Sequence, residues 1–293
     1  MSAGGLREAR AHRARGGSII LAKPSAAWLR FFALYLHGYM PRHFHALRMA
    51  HSERWPRGER PLIVCVNHPS WWDPMVCLRL SRSLEPAASH YAPIDAQALA
   101  RYRVLGKLGM FAVEQNTLRG AAQFLHTAQA VLAEQNAVLW LTPQGSFVDA
   151  RTRPVVFRSG LDALLRRMET AVVVPLALEY TYWDERLPEV LAMSGQPLYF
   201  VRGVIHGEDS SKGPGDRVAQ ALGETQDELA ATALRRDAKE FSALFAGRQG
   251  TGGVYGLWQR IRSARRGEGL FPEHGTSRAV KDTMENSVGS GPQ

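Results

Sequence analysis

Pro61-Leu-Ile-Val-Cys-Val-Asn-His-Pro-Ser-Trp-Trp-Asp73 runs from an apolar segment straight into a cluster of polar and aromatic side chains. Its first six residues are apolar, three of them β-branched, without polar alternation, the pattern of a strand buried on both faces. Asn67 and His68 end the run, and a helix follows through Pro74, Met75, Cys77 and Leu78. In open α/β sheets, ligands bind beyond the carboxyl ends of the strands. A histidine placed there can exchange a proton near neutral pH. Asp73, five residues on, can hold the other ring nitrogen, fix the tautomer and stabilise the imidazolium. His68 and Asp73 are therefore the candidate catalytic pair. The same spacing also fits a loop histidine beside an aspartate that caps a helix.

Working outward, residues 90–94, 110–113, 137–141 and 171–178 read as strands, and residues 120–135 and 160–168 have helical periodicity. Strands alternating with helices predict an α/β fold with a mostly parallel central sheet flanked by helices. After Gly195, residues 198–205 read as one more strand and 207–216 as a polar, Gly-rich loop. Residues 216–245 read as one long amphipathic helix and 254–261 as a short packing helix. No repeat of solenoid length recurs.

The net charge of +9 is concentrated at the N-terminus: residues 1–60 hold 11 Lys/Arg against 3 Asp/Glu. That asymmetry points to an anionic partner, an acidic membrane face or nucleic acid. Residues 1–17 read as a disordered basic arm, 18–55 as amphipathic membrane-associating helices, 56–272 as the α/β domain and 273–293 as a disordered polar tail. The first helix carries Trp28, Phe31, Phe32, Leu34 and Tyr35. The second, near 41–51, mixes His43, His45, Arg48 and His51 with Phe44, Leu47 and Met49. Rings in the headgroup layer with cations toward lipid phosphate suit this mixture, as does a core helix with snorkelling cations. Lys23, Pro24, Arg30 and His37 interrupt the best candidate span, so no transmembrane helix is expected. With no secretory signal visible, a peripheral, monotopic place on the cytoplasmic face of a membrane is expected. Cys65 and Cys77 fit small buried hydrophobes in a reducing compartment.

Asn67-His68-x-x-x-x-Asp73 resembles the first motif of the glycerolipid and lysophospholipid acyltransferase family, of the 1-acylglycerol-3-phosphate acyltransferase type. Three further segments follow in the family's order. Gly109 to Gln115 is similar to the second motif, Thr142-Pro-Gln-Gly-Ser-Phe147 to the third, and Val174-Pro175-Leu176 to the fourth. The resemblance spans roughly residues 25–205 and implies an O-acyltransferase of phospholipid biosynthesis. His68 would deprotonate a lipid hydroxyl, which attacks the thioester of acyl-CoA or an acyl carrier protein; no other cofactor and no metal are implied. Asn67, Gln115, Pro143, Gln144, Gly145 and Ser146 would contact substrate, with Gly145 in a loop offering N–H groups to an anion. Trp71, Trp72 and Met75 would line the mouth of an acyl groove, or else simply pack.

The departures bear on the acceptor. Gln115 and Phe147 stand where the family has arginine, and Gln144 where it has glutamate. Without those guanidinium forks a phosphate loses its best ligands. Arg119, Arg151, Arg153 and Arg158 are the nearby replacements, unless they form only a solvated basic face; of these, Arg151 and Arg153 are the favoured substrate contacts. An acceptor of lysophosphatidate or glycerolipid type is expected, with a neutral polar lipid such as a glycosylated terpenoid as the alternative. A membrane-surface thioesterase would share the site, with water in place of the acceptor. No G-x-S-x-G elbow supports a serine hydrolase. The spacing of His43, His45 and His51 fits no zinc site. A basic, non-enzymatic membrane- or nucleic-acid-binding protein is the reading from another class, although no nucleic-acid recognition motif is present and no nucleic-acid partner is expected.

Overall fold

The computed structural model describes residues 23–205 and 212–247. The basic arm, the first half of the 207–216 loop, the 254–261 segment and the polar tail lie outside the described residues. The chain begins with α1 (Ala26–Tyr39), a 3-10 turn (Met40–Arg42), β1 (Ala46–Ala50), β2 (Leu62–Val66) and α2 (Asp73–Leu84). Next come β3 (Ser89–Asp95), the short helices α3 (Ala96–Arg101) and α4 (Val104–Lys107), β4 (Met110–Val113), α5 (Leu118–Leu132) and β5 (Ala137–Leu141). After α6 (Gly160–Leu165) follow β6 (Thr170–Thr181), β7 (Glu189–Ser194), the hairpin β8 (Leu198–Val201) and β9 (Val204–Ile205), α7 (Pro214–Arg235) and β10 (Ser242–Ala246).

The strands form one sheet in the order β10-β1-β7-β6-β2-β5-β3-β4, with β8 and β9 extending from β6. From β6 to β4 every neighbouring pair is parallel. β6–β7, β6–β8 and β1–β10 are antiparallel, whereas β1–β7 is parallel. All five residues of β2 are buried, and their alternation serves two layers. Leu62, Val64 and Val66 pack with Trp140, Leu176, Leu36 of α1 and Val76 and Leu80 of α2. Ile63 and Cys65 pack with Leu139, Leu141 and Val173 under α5 and α6. Each such side chain contributes roughly 1.5–3 kcal/mol by leaving water. α7 covers a third cluster formed with Ala177, Leu191 and Met193.

Pro175 sits inside β6, where a missing N–H ordinarily breaks a central ladder. Here β6 pairs β8 through Val173 and takes up β7 only from Leu176. The proline falls in the gap between those partners, and its carbonyl accepts the Gly195 N–H.

Three expectations for the elements are corrected. Residues 41–51 do not form a second interfacial helix; a 3-10 turn ends at Arg42 and β1 takes Ala46–Ala50, parallel to β7 and antiparallel to β10. The reason is charge pairing across strands. His45 is buried 3.7 Å from Glu189, and Arg48 donates to that same carboxylate at 2.8 Å. The helix expected to reach residue 245 stops at Arg235, and β10 closes the sheet edge instead. The strand expected over 198–205 is a hairpin turning at Arg202 and Gly203, both at positive φ. β7 was not legible: Glu189 at its head hid an apolar run that the Arg48 and His45 contacts make buriable.

Candidate active site

β2 delivers Asn67 and His68 to the carboxyl edge of the sheet. The β2–β6 backbone pairing ends at Val66 and Leu176. Asn67 extends it with its side chain: Nδ2 donates to the Leu178 carbonyl at 2.9 Å and Oδ1 accepts the Leu178 N–H at 2.7 Å. Its amide thus stands in for a peptide group, and both atoms are spent on the fold rather than on a substrate.

His68 Nδ1 lies 2.6 Å from Asp73 Oδ2. The His68 backbone is held as well, its N–H donated to Gln144 Oε1 at 3.0 Å and its carbonyl accepting from the Val148 N–H at 2.9 Å. The Phe147 ring packs against the imidazole at 4.5 Å between centroids. Nδ1 is therefore committed to the carboxylate, and among the described residues Nε2 takes no hydrogen bond. Asp73 is the first residue of α2 and is 1% exposed. Its carboxylate does not cap the helix. Oδ2 also accepts the Ser70 N–H at 3.0 Å, and Oδ1 accepts the Tyr180 hydroxyl at 2.6 Å. The positive end of α2 adds to the stabilisation of the buried charge.

Both members of the pair border a cavity of about 810 Å³, within the range of small-molecule and cofactor sites. Near the pair it is lined by Gln115, Asn116, Pro143, Gly145, Ser146, Phe147 and Arg158. Its walls are mainly apolar: Val66, Leu78, Ala92, Ile94, Leu108, Met110, Val113, Phe124 and Leu141. It also reaches Trp140 and His90. The strand register aligns His90 with Val138 and Val138 with Leu62, four residues back along β2 from Val66. The cavity therefore runs roughly 13 Å along the sheet, at about 3.3 Å per strand residue. His90, Leu78 and Ser81 also border a second cavity, of about 230 Å³, against Ala26, Leu29 and Arg30 of α1.

At the far end, His90 Nε2 lies 2.9 Å from the Glu85 carbonyl, and Nδ1 accepts the Trp140 indole N–H at 3.1 Å. Burial pushes its pKa down to about 4, against a weaker upward pull from the Glu85 contact. Cys77 also lines the cavity, and burial, with Asp73 beside it, holds its thiol well above the ordinary range.

Several expected substrate contacts sit elsewhere. Trp71, Trp72 and Met75 are not among the lining residues: Trp72 and Met75 pack on the core, and Trp71 is 59% exposed. They lie at the entry and first turn of α2, whose later residues Cys77, Leu78 and Ser81 do face the cavity. Arg151 is clasped by Asp149, with Nε and Nη2 donating at 2.9 and 2.8 Å, and Arg153 is tied to Asp227 of α7 at 2.7 Å. Neither borders the cavity. Gln144 holds the His68 backbone and is not a lining residue. The Gly145 N–H is donated to the Thr142 carbonyl at 3.0 Å, so it is not offered to an anion.

Among the described residues, Arg158 is the arginine that lines the cavity. Its backbone N–H is donated to the Pro143 carbonyl at 2.8 Å, and Nη1 donates to Asn116 Oδ1 at 3.3 Å. Gly145 has φ +70°, and a Cβ built there would stand 2.3 Å from Arg158 Nε. Glycine is needed at that position for the backbone conformation and for the guanidinium lying across it.

Among the described residues no three His, Cys, Asp or Glu side chains gather as a metal site, and no helix is long and apolar enough to cross a membrane. α1 exposes Phe31, Leu34 and Tyr35. Tyr35 stacks on Tyr39, and tilted ring contacts continue from Tyr39 to Trp72 and from Trp72 to exposed Trp71.

No family model matches the chain, and no curated protein matches it. Among solved structures the chain is similar to the 1-acyl-sn-glycerophosphate (LPA) acyltransferase PlsC from Thermotoga maritima, at 15% sequence identity and a TM-score of 0.49, over 78% of this chain and 88% of that one.

Proposed function

We propose that this protein is an O-acyltransferase that moves a fatty acyl group from acyl-CoA or an acyl carrier protein to the hydroxyl of a lipid acceptor. The observation that carries the reading is a histidine with one nitrogen on a buried carboxylate and the other without a hydrogen bond among the described residues, at the end of a long, mainly apolar cavity. An acyl chain in that cavity gains about 0.8 kcal/mol per buried methylene. His68 Nε2 takes the proton of the acceptor hydroxyl, and the oxygen attacks the thioester carbonyl. The carbon–sulfur bond breaks and the imidazolium returns the proton to the departing thiolate. Asp73 stays ionised and holds the ring. The thioester is already activated, so positioning and one base suffice, without a metal.

For the acceptor, Arg158 stands in for the arginines absent at Gln115 and Phe147, which favours an anionic headgroup of the lysophosphatidate type. A neutral glycolipid acceptor, or water in a thioesterase, remains a distinguishable outcome of the same assay. Incubation with labelled acyl-CoA and a panel of lysolipids and glycolipids, read by mass spectrometry, tests the reading. Transfer by the wild type that is lost in folded His68→Ala supports it; equal transfer by both discards it.

The exposed Phe31, Leu34 and Tyr35 of α1 suit peripheral attachment to the cytoplasmic face of an anionic membrane, assisted by the N-terminal cations at about 1 kcal/mol each. Flotation with anionic vesicles is expected for the full chain, weakened by salt and by Phe31→Asp with Leu34→Asp. Binding that ignores both salt and the substitutions removes the attachment from α1.

A further inference from the structure

Asp73 is held by more than its histidine. Oδ2 receives His68 Nδ1 and the Ser70 N–H, and Oδ1 receives the hydroxyl of Tyr180 at 2.6 Å. Tyr180 lies near the end of β6, four residues beyond Leu176 and outside the four motifs of the sequence. Its placement follows from the sheet. Asn67 pins Leu178 through two hydrogen bonds, and alternation along a strand puts Leu176, Leu178 and Tyr180 on one face. That face is the one on which α2 packs. The Tyr180 ring rests on Phe44 at 5.9 Å between centroids. Asn67, Leu178, Tyr180, Asp73 and His68 therefore form a closed loop of contacts that begins and ends at the same strand terminus.

We infer that Tyr180 is a positioning residue for the catalytic base, fixing the Asp73 carboxylate in its orientation and setting how strongly that carboxylate draws on the imidazole proton. Among the described residues, the titratable groups facing Asp73 are His68 from the loop, Cys77 from the next turn of α2 and Tyr180 from β6. Burial and the neighbouring Asp73 hold both the Tyr180 phenol and the Cys77 thiol well above their ordinary ranges, so both stay protonated as the imidazole titrates. Tyr180 is then a donor at every working pH. Each donor on a carboxylate disperses its charge. Removing the phenol leaves Oδ1 buried without that donor and concentrates the charge on the oxygen facing His68, which favours the imidazolium.

This inference rests on His68 as the base, and its test reads the imidazole directly as well as through turnover. In Tyr180→Phe, which keeps the ring on Phe44, the NMR titration midpoint of the His68 ring should rise by roughly half a unit to one unit. The acid limb of kcat/KM should move to higher pH with it. Turnover should fall roughly tenfold, the scale of one lost hydrogen bond to a charged group. KM for the acyl donor should hold, because Tyr180 does not line the cavity. Replacing Tyr180 with 3,5-difluorotyrosine, a more acidic and stronger donor, should move the midpoint the opposite way. A merely structural Tyr180 would lower the yield of folded protein and leave the midpoint in place. An unmoved midpoint, or the same direction of shift in both variants, overturns the inference. If Tyr180→Phe fails to fold, the fluorinated protein, which retains ring and hydroxyl, decides alone. Turnover persisting in His68→Ala would sink the proposed function, while the NMR result would still judge the Tyr180 coupling.

Discussion

His68 and His90 border the same cavity at opposite ends of the sheet, and their second nitrogens separate them. His68 gives Nδ1 to a carboxylate, and among the described residues Nε2 has no hydrogen-bond partner. His90 has both nitrogens engaged, one on a backbone carbonyl and one taking an indole N–H, and burial holds it neutral. A histidine becomes a working base when a charged partner stabilises its protonated form and one nitrogen still faces the ligand space. With two neutral partners it becomes part of the wall.

Substituting each residue in turn puts that contrast to its strongest test. His68→Ala should lower kcat by 10²–10⁴-fold, the usual worth of a general base. His90→Gln should keep most of the turnover, since an amide can accept from Trp140 and donate to the Glu85 carbonyl. Single-turnover acyl transfer measures both. Comparable losses in the two variants would erase the distinction.

The working end of this contrast was legible in the sequence, and the wall end was not. Residues 61–73 displayed a buried strand, a polar turn and a helix start in one run, so His68 and Asp73 followed from local pattern. His90 read as one more residue of a strand, because its partners come from Glu85, five residues back, and Trp140, fifty residues on. The strands β2 and β5 were read nearly to the residue because fully buried apolar runs carry their own signal. β1 was misread because its polar residues are satisfied by Glu189 across the sheet, a partner that no local window contains. Tyr180 escaped for the same reason: only the β6 register reveals its contact with Asp73. The downstream arginines were visible, but their ion pairs were not, and those pairs determine which guanidinium faces the cavity.

The next test uses pH. His90 titrates near 6.5 when unfolded and near 4 in the fold. Between those values the unfolded chain binds a proton that the folded chain refuses, so stability falls as pH drops through that window and is fully present above it. The expected loss is about 2–4 kcal/mol by pH 4. Urea unfolding midpoints followed from pH 7 to pH 4 measure it. In His90→Gln that part of the decline should vanish. A variant with the same acid sensitivity as the wild type would place the titrating groups elsewhere and return His90 to the set of possible bases.

The smallest effect concerns the arginines beside His68, and it asks whether a polar group facing the cavity there meets the substrate, as proposed for His68. Arg158 lines the cavity across Gly145 with an amide partner at 3.3 Å, whereas Arg151 is 87% exposed and clasped by its neighbour Asp149. A guanidinium already matched to a carboxylate has little to offer a second anion, and an exposed pair contributes about 0–1 kcal/mol to stability. Arg158→Gln should therefore raise KM for an anionic acceptor roughly tenfold, as loss of one charge-assisted contact does, with kcat nearly unchanged. Arg151→Ala should leave both constants near wild type. A glycolipid acceptor separates binding of the acceptor headgroup from binding of the donor's phosphates. If KM for lysophosphatidate rises in Arg158→Gln while that for the glycolipid and for acyl-CoA holds, Arg158 grips the acceptor. If only KM for acyl-CoA rises, it grips the donor. If Arg151→Ala raises KM as much as Arg158→Gln does, the Asp149 clasp opens on binding, and engagement in the free protein does not predict which groups meet the substrate.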